Sequence, residues 1–248
     1  MKRINIVLIE DLALDELRNS IFITGYTGFG LVGYLATRHI AFQLKMQRIG
    51  FVETKYMPES TFYTKQIGII YPFEIYYKNI NGQKLLVLVN HSVPDTRERT
   101  YYVRSITRWV RDVGIKEAIL VGGLDPAVRE SKEERYRWIP IGNANFTLEA
   151  PILEERHVVG PLALTMMYLH AYKIPGVVIL PYAEPYRPDP RATAIAVTEI
   201  AKLLDIEIDV SQLYKEAGII EELESKKEEL LKKVYKAEVG EKSHPMYM

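Results

Sequence analysis

No cysteine occurs in the 248 residues. That absence excludes disulfides, thiolate metal sites and a cysteine nucleophile. Net charge is absent too. The 32 Lys and Arg balance the 32 Asp and Glu, so no basic excess points to nucleic acid or to an anionic membrane. No apolar run reaches the length of a bilayer span. No signal peptide is apparent either, because Met1-Lys2-Arg3 leads into a short strand-like run broken by Glu10 and Asp11. The expected location is the cytoplasm. None of the five histidines (His39, His91, His157, His170, His244) stands at metal-ligand spacing from another ligand type, so no metal is expected. What is present is a chain long enough for a large core, with 26% charged residues. Ion-pair networks of a heat-adapted protein would look like this, and so would an ordinary charged surface.

Strand-like and helix-like runs alternate. Short apolar runs at residues 4–9, 21–25, 49–52, 119–121 and 176–180 read as strands, and 135–140 as an extended stretch. Apolar residues at helical spacing mark 31–44, 101–113, 162–172 and 190–204. Gly114 supplies a helix cap, and Pro190 suits a first helical turn. Residues 67–89 read as two strands around Asn81-Gly82, the dipeptide of a tight hairpin whose central residues both take positive φ. This alternation predicts an α/β fold with a mostly parallel sheet flanked by helices. After Ile208 the composition turns to Glu and Lys with Leu223, Leu230, Leu231 and Val234 at helical spacing. The expected organisation is a core at 1–208, a charged helical extension at 209–240 and a tail at 241–248.

Gly28-Phe29-Gly30-Leu31-Val32-Gly33 spells G-x-G-x-x-G between a strand and a helix, and Glu53 lies 20 residues past Gly33. In a dinucleotide site Gly28, Gly30 and Gly33 would admit a pyrophosphate to the helix amides, and Glu53 would hold the ribose. The competing reading needs no ligand. Small residues let a helix pack close to a strand and let the turn take positive φ. Both readings stand on the residues alone.

The chain closes on Met246-Tyr247-Met248: an apolar residue, a Tyr, any residue, then a carboxylate. The Met and the ring bring buried area with few rotors, and the hydroxyl brings one hydrogen bond. A Lys or backbone donors can capture a terminal carboxylate. Pro245 stiffens the approach and disfavours helix at His244. The alternative is a frayed terminus without a role.

Residues 21–60 resemble the opening block of the proteasome assembly chaperone 2 family. The resemblance rests on an apolar strand, a small-residue loop with Gly28 and Gly30, then Val32-Gly33 with Ala36 in the following helix, and Pro58 after the next strand. Further likenesses follow in order through the strand ending at Asn90, Trp109, Gly114, the run into Gly122-Gly123, Gly160-Pro161-Leu162, and Pro188-Asp189-Pro190. They cover about residues 20–210. The resemblance implies a Rossmann-like α/β domain similar to nucleoside phosphorylases and nucleosidases, with a protein-binding role and no cofactor. It implies no catalytic set. It also implies an archaeal homo-oligomer whose C-terminal hydrophobic–Tyr–any motif, here Met246, Tyr247 and Met248, enters pockets of the 20S proteasome α-ring. The expected function is therefore a non-enzymatic assembly factor or activator. Two alternatives remain: a nucleoside- or dinucleotide-binding enzyme using the glycine loop, with Glu53 and Asp125 as its first residues to test, or a scaffold for another small protein.

Asn90, His91, Asp95, Asp125 and Asp189 follow strands or precede helices. Gathered at one end of a parallel sheet, an Asp and a His would serve acid–base chemistry on a nucleoside-like substrate. The favoured reading is simpler: turn and cap residues, with Asp189 between two prolines as a helix entry. The run of Tyr71, Phe73, Tyr76 and Tyr77 is expected to be strand packing.

Overall fold

A computed structural model describes residues 4–10, 12–65 and 67–241. Its centre is one mixed eight-stranded sheet, ordered β1-β3-β6-β7-β2-β8-β10-β9. The parallel part is central: β7 (Gln83–Asn90), β2 (Ile21–Gly25), β8 (Glu117–Val121) and β10 (Gly176–Pro181) run in one direction. Strands β1 (Ile4–Leu8), β3 (Gln47–Thr54) and β6 (Phe73–Ile80) extend it antiparallel on one side, and β9 (Tyr136–Ile141) on the other. A separate two-stranded ribbon, β4 (Tyr63–Thr64) and β5 (Gly68–Ile69), stands outside this sheet.

The side-chain alternation of the strands sorts the core into two layers. Ile21, Ile23, Val87, Ile119 and Val177 point to the side covered by α1 (Val32–Gln43) and α4 (Pro190–Leu204). Phe22, Leu86, Leu88, Leu120 and Val178 point to the side covered by α2 (Arg99–Val113) and α3 (Gly160–Ala171). Strands buried on both faces need continuous apolar runs, and β8 and β10 have them. Each fully buried Leu, Ile or Val contributes roughly 1.5–3 kcal/mol relative to exposure.

Local signals set several boundaries. Asn81 (φ 51°) and Gly82 (φ 91°) both take positive φ in the two-residue turn from Ile80 to Gln83. Asp189 caps α4 by accepting from the Ala192 N–H at 2.9 Å, with Pro190 in the first turn. The stretch 67–89 departs from its two-strand reading at its start. There Gly68 and Ile69 belong to the ribbon, and the first long strand begins at Phe73. Pro72 lacks a ladder donor, and the Tyr71 N–H is taken by the Glu74 carboxylate at 3.1 Å. The last helix, α5, covers Ser211–Glu241.

Candidate functional site

Met246, Tyr247 and Met248 lie outside the described residues. Among the described side chains, the contacts that attach the helix leading toward them lie in its first half. Leu213 and Ala217 of α5 are buried at 3% exposure each. Glu221 pairs with Arg191 and Glu224 with Arg187, both at 2.8 Å. Residues 225–241 then continue for about 25 Å of helix. Leu223, Leu230 and Leu231 are exposed at 61, 61 and 58%, as much as ordinary surface side chains and far more than the core leucines of the sheet.

The loop after β2 is filled from within the chain. A Cβ on Gly33 would lie 2.5 Å from the Val121 carbonyl oxygen and 2.6 Å from the Tyr26 nitrogen. The small side chain lets α1 sit directly on the ends of β2 and β8. Gly30 has φ +62°, and a Cβ there would meet the Ala183 Cβ at 2.7 Å and the Asp189 Cβ at 2.9 Å. Its carbonyl accepts from the Asp189 N–H at 2.8 Å. The approach to Gly30 that a pyrophosphate would use is thus occupied by the loop into α4. Gly28 alone borders open space.

Glu53 stands apart from the glycine loop in the sheet order. It is exposed on β3 and pairs across from Asn5. Strands β6 and β7 lie between β3 and β2, a separation of about 14 Å at the usual inter-strand spacing. The chain leaving α1 passes over those positions instead of pairing beside β2, so the acid does not stand next to Gly28, Gly30 and Gly33.

The five residues at loop starts do not converge on one catalytic point. Asp95 accepts from the Arg97 N–H and pairs with its guanidinium at 2.8 Å. These bonds hold the Asp95 carboxyl down at about 2. Asp125 accepts from the Ala127 N–H at 2.9 Å, and Asp189 is the α4 cap. Asn90 is a buried tie. It donates to the Thr24 hydroxyl (3.1 Å) and the Gly25 carbonyl (2.8 Å), and accepts from the Tyr102 hydroxyl (2.6 Å).

His91 belongs to a cluster that sequence reasoning missed. Its Nε2 lies 3.0 Å from Glu74, whose side chain is fully buried in β6. The same carboxylate accepts from Arg48 Nη1 (2.7 Å), the Tyr76 hydroxyl (2.7 Å) and the Tyr71 N–H (3.1 Å). Burial alone would raise the Glu74 pKa. The bonds from His91, Tyr76, Tyr71 and Arg48 outweigh it and hold the carboxyl below its ordinary value. Burial, with the Glu74 charge beside it, drives the Tyr76 phenol strongly upward. Four donors use the four acceptor positions of a carboxylate, which leaves none free for a substrate proton. Arg48 also donates to the Ile69 and Ile67 carbonyls, so the cluster fastens the β4–β5 ribbon to the sheet. A charge inside the apolar run from Phe73 to Tyr77 was the visible signal.

A crevice of about 360 Å³ opens at the carboxyl ends of β2 and β8, where α/β proteins place ligands. Gly28, Phe29, Gly123, Leu124, His157 and Leu162 line it. No Asp, Glu, Lys or Arg is among its described lining residues, so it carries neither a carboxylate pair nor a phosphate clamp. Among the described residues no cluster could hold a metal, and no helix is long and apolar enough to cross a membrane.

This architecture has known counterparts. The crystal structure of PbaA from Pyrococcus furiosus, an archaeal homolog of proteasome-assembly chaperone, superposes with a TM-score of 0.77 at 24% identity, covering 100% of both chains. PbaB from the same organism, an archaeal proteasome activator, gives 0.74 at 22% identity over 92% of this chain and 100% of that one. An uncharacterized protein of Methanocaldococcus jannaschii is 23% identical over 234 residues, 88% of each chain. Residues 22–228 match the PAC2 family over most of the chain, and the protein belongs to that family.

Proposed function

We propose that this protein is a non-enzymatic, homo-oligomeric partner of the 20S proteasome, an assembly factor or activator that works in the cytoplasm. It docks Met246, Tyr247 and Met248 into pockets of the α-ring. The observation that carries the reading is the agreement in fold, over the whole chain, with a protein described as an archaeal homolog of proteasome-assembly chaperone. The body adds indirect support. The glycine loop is packed with protein, and the carboxyl-end crevice has no charged residue in its described lining. Helix α5 adds to it, since among the described residues its last ion pair to the rest of the chain is at Glu224 and the helix runs on to Glu241.

The chemistry of docking follows from the three residues. Met246 fills an apolar recess, Tyr247 packs and hydrogen-bonds at the pocket mouth, and the Met248 carboxylate pairs with a pocket lysine. Several tails on one oligomer raise a weak single contact through effective concentration. If docking favours the open form of the gate, peptide hydrolysis rises by a shift of population.

The test mixes the full chain with the 20S proteasome of its own organism. Complex formation is read by native mass spectrometry, and activity by hydrolysis of a short fluorogenic peptide. Deleting Met246, Tyr247 and Met248, or substituting Tyr247→Ala, is expected to abolish both the complex and any stimulation while leaving the thermal midpoint unchanged. A complex that survives the deletion sinks tail docking. No complex with the intact chain removes the α-ring as the partner.

A further inference from the structure

Strand β1 is one end of the sheet, with β3 on its inner side and no described strand beyond it. The Ile9 N–H donates to the Ile49 carbonyl at 2.9 Å. The same register pairs Val7 with Phe51 and Asn5 with Glu53. Hydrogen-bonded and non-hydrogen-bonded pairs alternate along an antiparallel ladder. Ile4, Ile6 and Leu8 therefore turn their N–H and C=O groups away from β3, to the outer edge. Natural edge strands are usually blunted by charge, proline or a bulge. The Ile4–Leu8 sequence, INIVL, has neither charge nor proline, and its pairing with β3 runs without a bulge.

The space beside this edge has a defined lining. An open groove of about 770 Å³ lies between β1 and α2. Ile6, Leu8, Leu14 and Trp109 give it an apolar wall, and Arg104 and Arg108 a basic rim. The one acidic residue in the lining, Asp112, is already engaged, at 2.6 Å from Arg111 and 4.0 Å from Arg108. The Arg104 guanidinium stacks over the Tyr101 ring at 4.9 Å and has no carboxylate partner among the described residues.

We propose that this groove receives an extended segment of a partner protein, which adds a strand to the outer edge of β1. Backbone hydrogen bonds to Ile4, Ile6 and Leu8 supply affinity, the known mode of strand addition. Apolar side chains on one face of the segment pack against Leu14 and Trp109. Carboxylates on the same face meet Arg104 and Arg108 and set the choice of partner. Charge argues against a second copy of β1 as the occupant. A two-fold pairing would bring two sets of Arg104 and Arg108 to one seam, and Ile4–Leu8 offers no carboxylate to either.

The probe is an end-blocked octapeptide with threonine at every second position and valine, valine, glutamate, glutamate between. The full chain is titrated while Trp109 emission is followed. The other tryptophan, Trp138, is buried in β9, and Trp109→Phe identifies the source of the signal. The expected result is a saturable change, with amide exchange at Ile6 and Leu8 slowed at least tenfold. Arg104→Glu with Arg108→Glu, two exposed sites whose substitution spares the core, should weaken binding at least tenfold and favour the peptide with lysine for glutamate by a similar factor. The proposal is overturned if neither peptide binds, if both bind equally well, or if exchange at Ile6 and Leu8 does not change. A doubled mass in sedimentation, with Ile6 and Leu8 already protected in the absence of peptide, also overturns it in favour of a second copy.

Discussion

The loop after β2 and the far part of α5 treat apolar and polar surface in opposite ways. Around Gly25 and Gly33 backbone lies directly on backbone, and at Gly30 the Cβ atoms of Ala183 and Asp189 stand as close, with no room for a methyl group. Along α5 past Glu224, Leu230 and Leu231 stand in the open, and no described residue makes an ion pair to the body. In many α/β proteins the first place binds the ligand and an appended helix is decoration. Here the loop is occupied by the protein itself, while exposed leucines stand on the appendage and β1 has no described strand on its outer side. Residue patterns shared with cofactor sites acquire their meaning from what fills the space beside them.

The largest effect should come from forcing the packed region apart. In Gly33→Val the new carbon lies within 2.7 Å of the Val121 carbonyl and of both the Tyr26 nitrogen and carbonyl. Backbone atoms cannot step aside as a side-chain tip can, so α1 must lift from the sheet. The expected loss is above about 4 kcal/mol, measured by denaturant unfolding. A loss under about 1 kcal/mol would mean that the loop has slack, and the contrast with α5 would fail.

Next is the buried carboxylate. Glu74→Gln keeps the shape but leaves Arg48 and His91 facing a neutral amide, and it should cost about 2–4 kcal/mol. Arg48 retains 20% exposure, which places the effect toward the lower figure. The ribbon should loosen first, read as faster amide exchange at Gly68 and Ile69.

The same cluster fixes a pH dependence. The Glu74 pKa is depressed by folding from its ordinary 4.5. The stability it contributes is therefore full above that value and is lost as pH falls through the lower, folded one. The gap between the native chain and Glu74→Gln should be constant at neutral pH and shrink in acid below about pH 4.5. A gap that stays constant to pH 3 would show that the carboxylate is not held ionised by its partners.

These regions were legible to different degrees. The Asn81-Gly82 turn and the 190–204 helix are readable because their signals are local: two positive-φ residues in one case, Asp189-Pro190 in the other. Strand order is not local. Nothing in 47–54 says that its neighbours are β1 and β6 rather than β2, and that order is what sets Glu53 apart from the glycine loop. The Glu74 cluster is hidden for the same reason, since Arg48 and His91 lie 26 and 17 residues away in sequence. The two-residue strands of the ribbon are too short to show a period. Of the candidate site, the sequence supplies the chemistry of Met246, Tyr247 and Met248 and the helical spacing of α5. The attachment of α5 to α4 and to the loop before it depends on Arg191 and Arg187, which only the folded chain brings to Glu221 and Glu224.

The smallest effect on stability belongs to the appendage. A chain ended after Ser225 keeps Leu213, Ala217 and the ion pairs to Arg187 and Arg191. It loses helix whose described apolar side chains, Leu230 and Leu231, are already exposed. The midpoint of thermal unfolding should move by less than about 2 °C, under roughly 1 kcal/mol for a chain of this size. If the protein is a homo-oligomer through its body, sedimentation should also give an unchanged subunit number. A fall in subunit number would instead assign the exposed leucines to contacts between copies. A large drop in the midpoint would mean that the distal helix rests on the body. Either result would close the difference between the packed loop and the free helix. An unchanged midpoint and subunit number, together with lost proteasome binding, would separate the part of this chain that folds from the part that engages its partner.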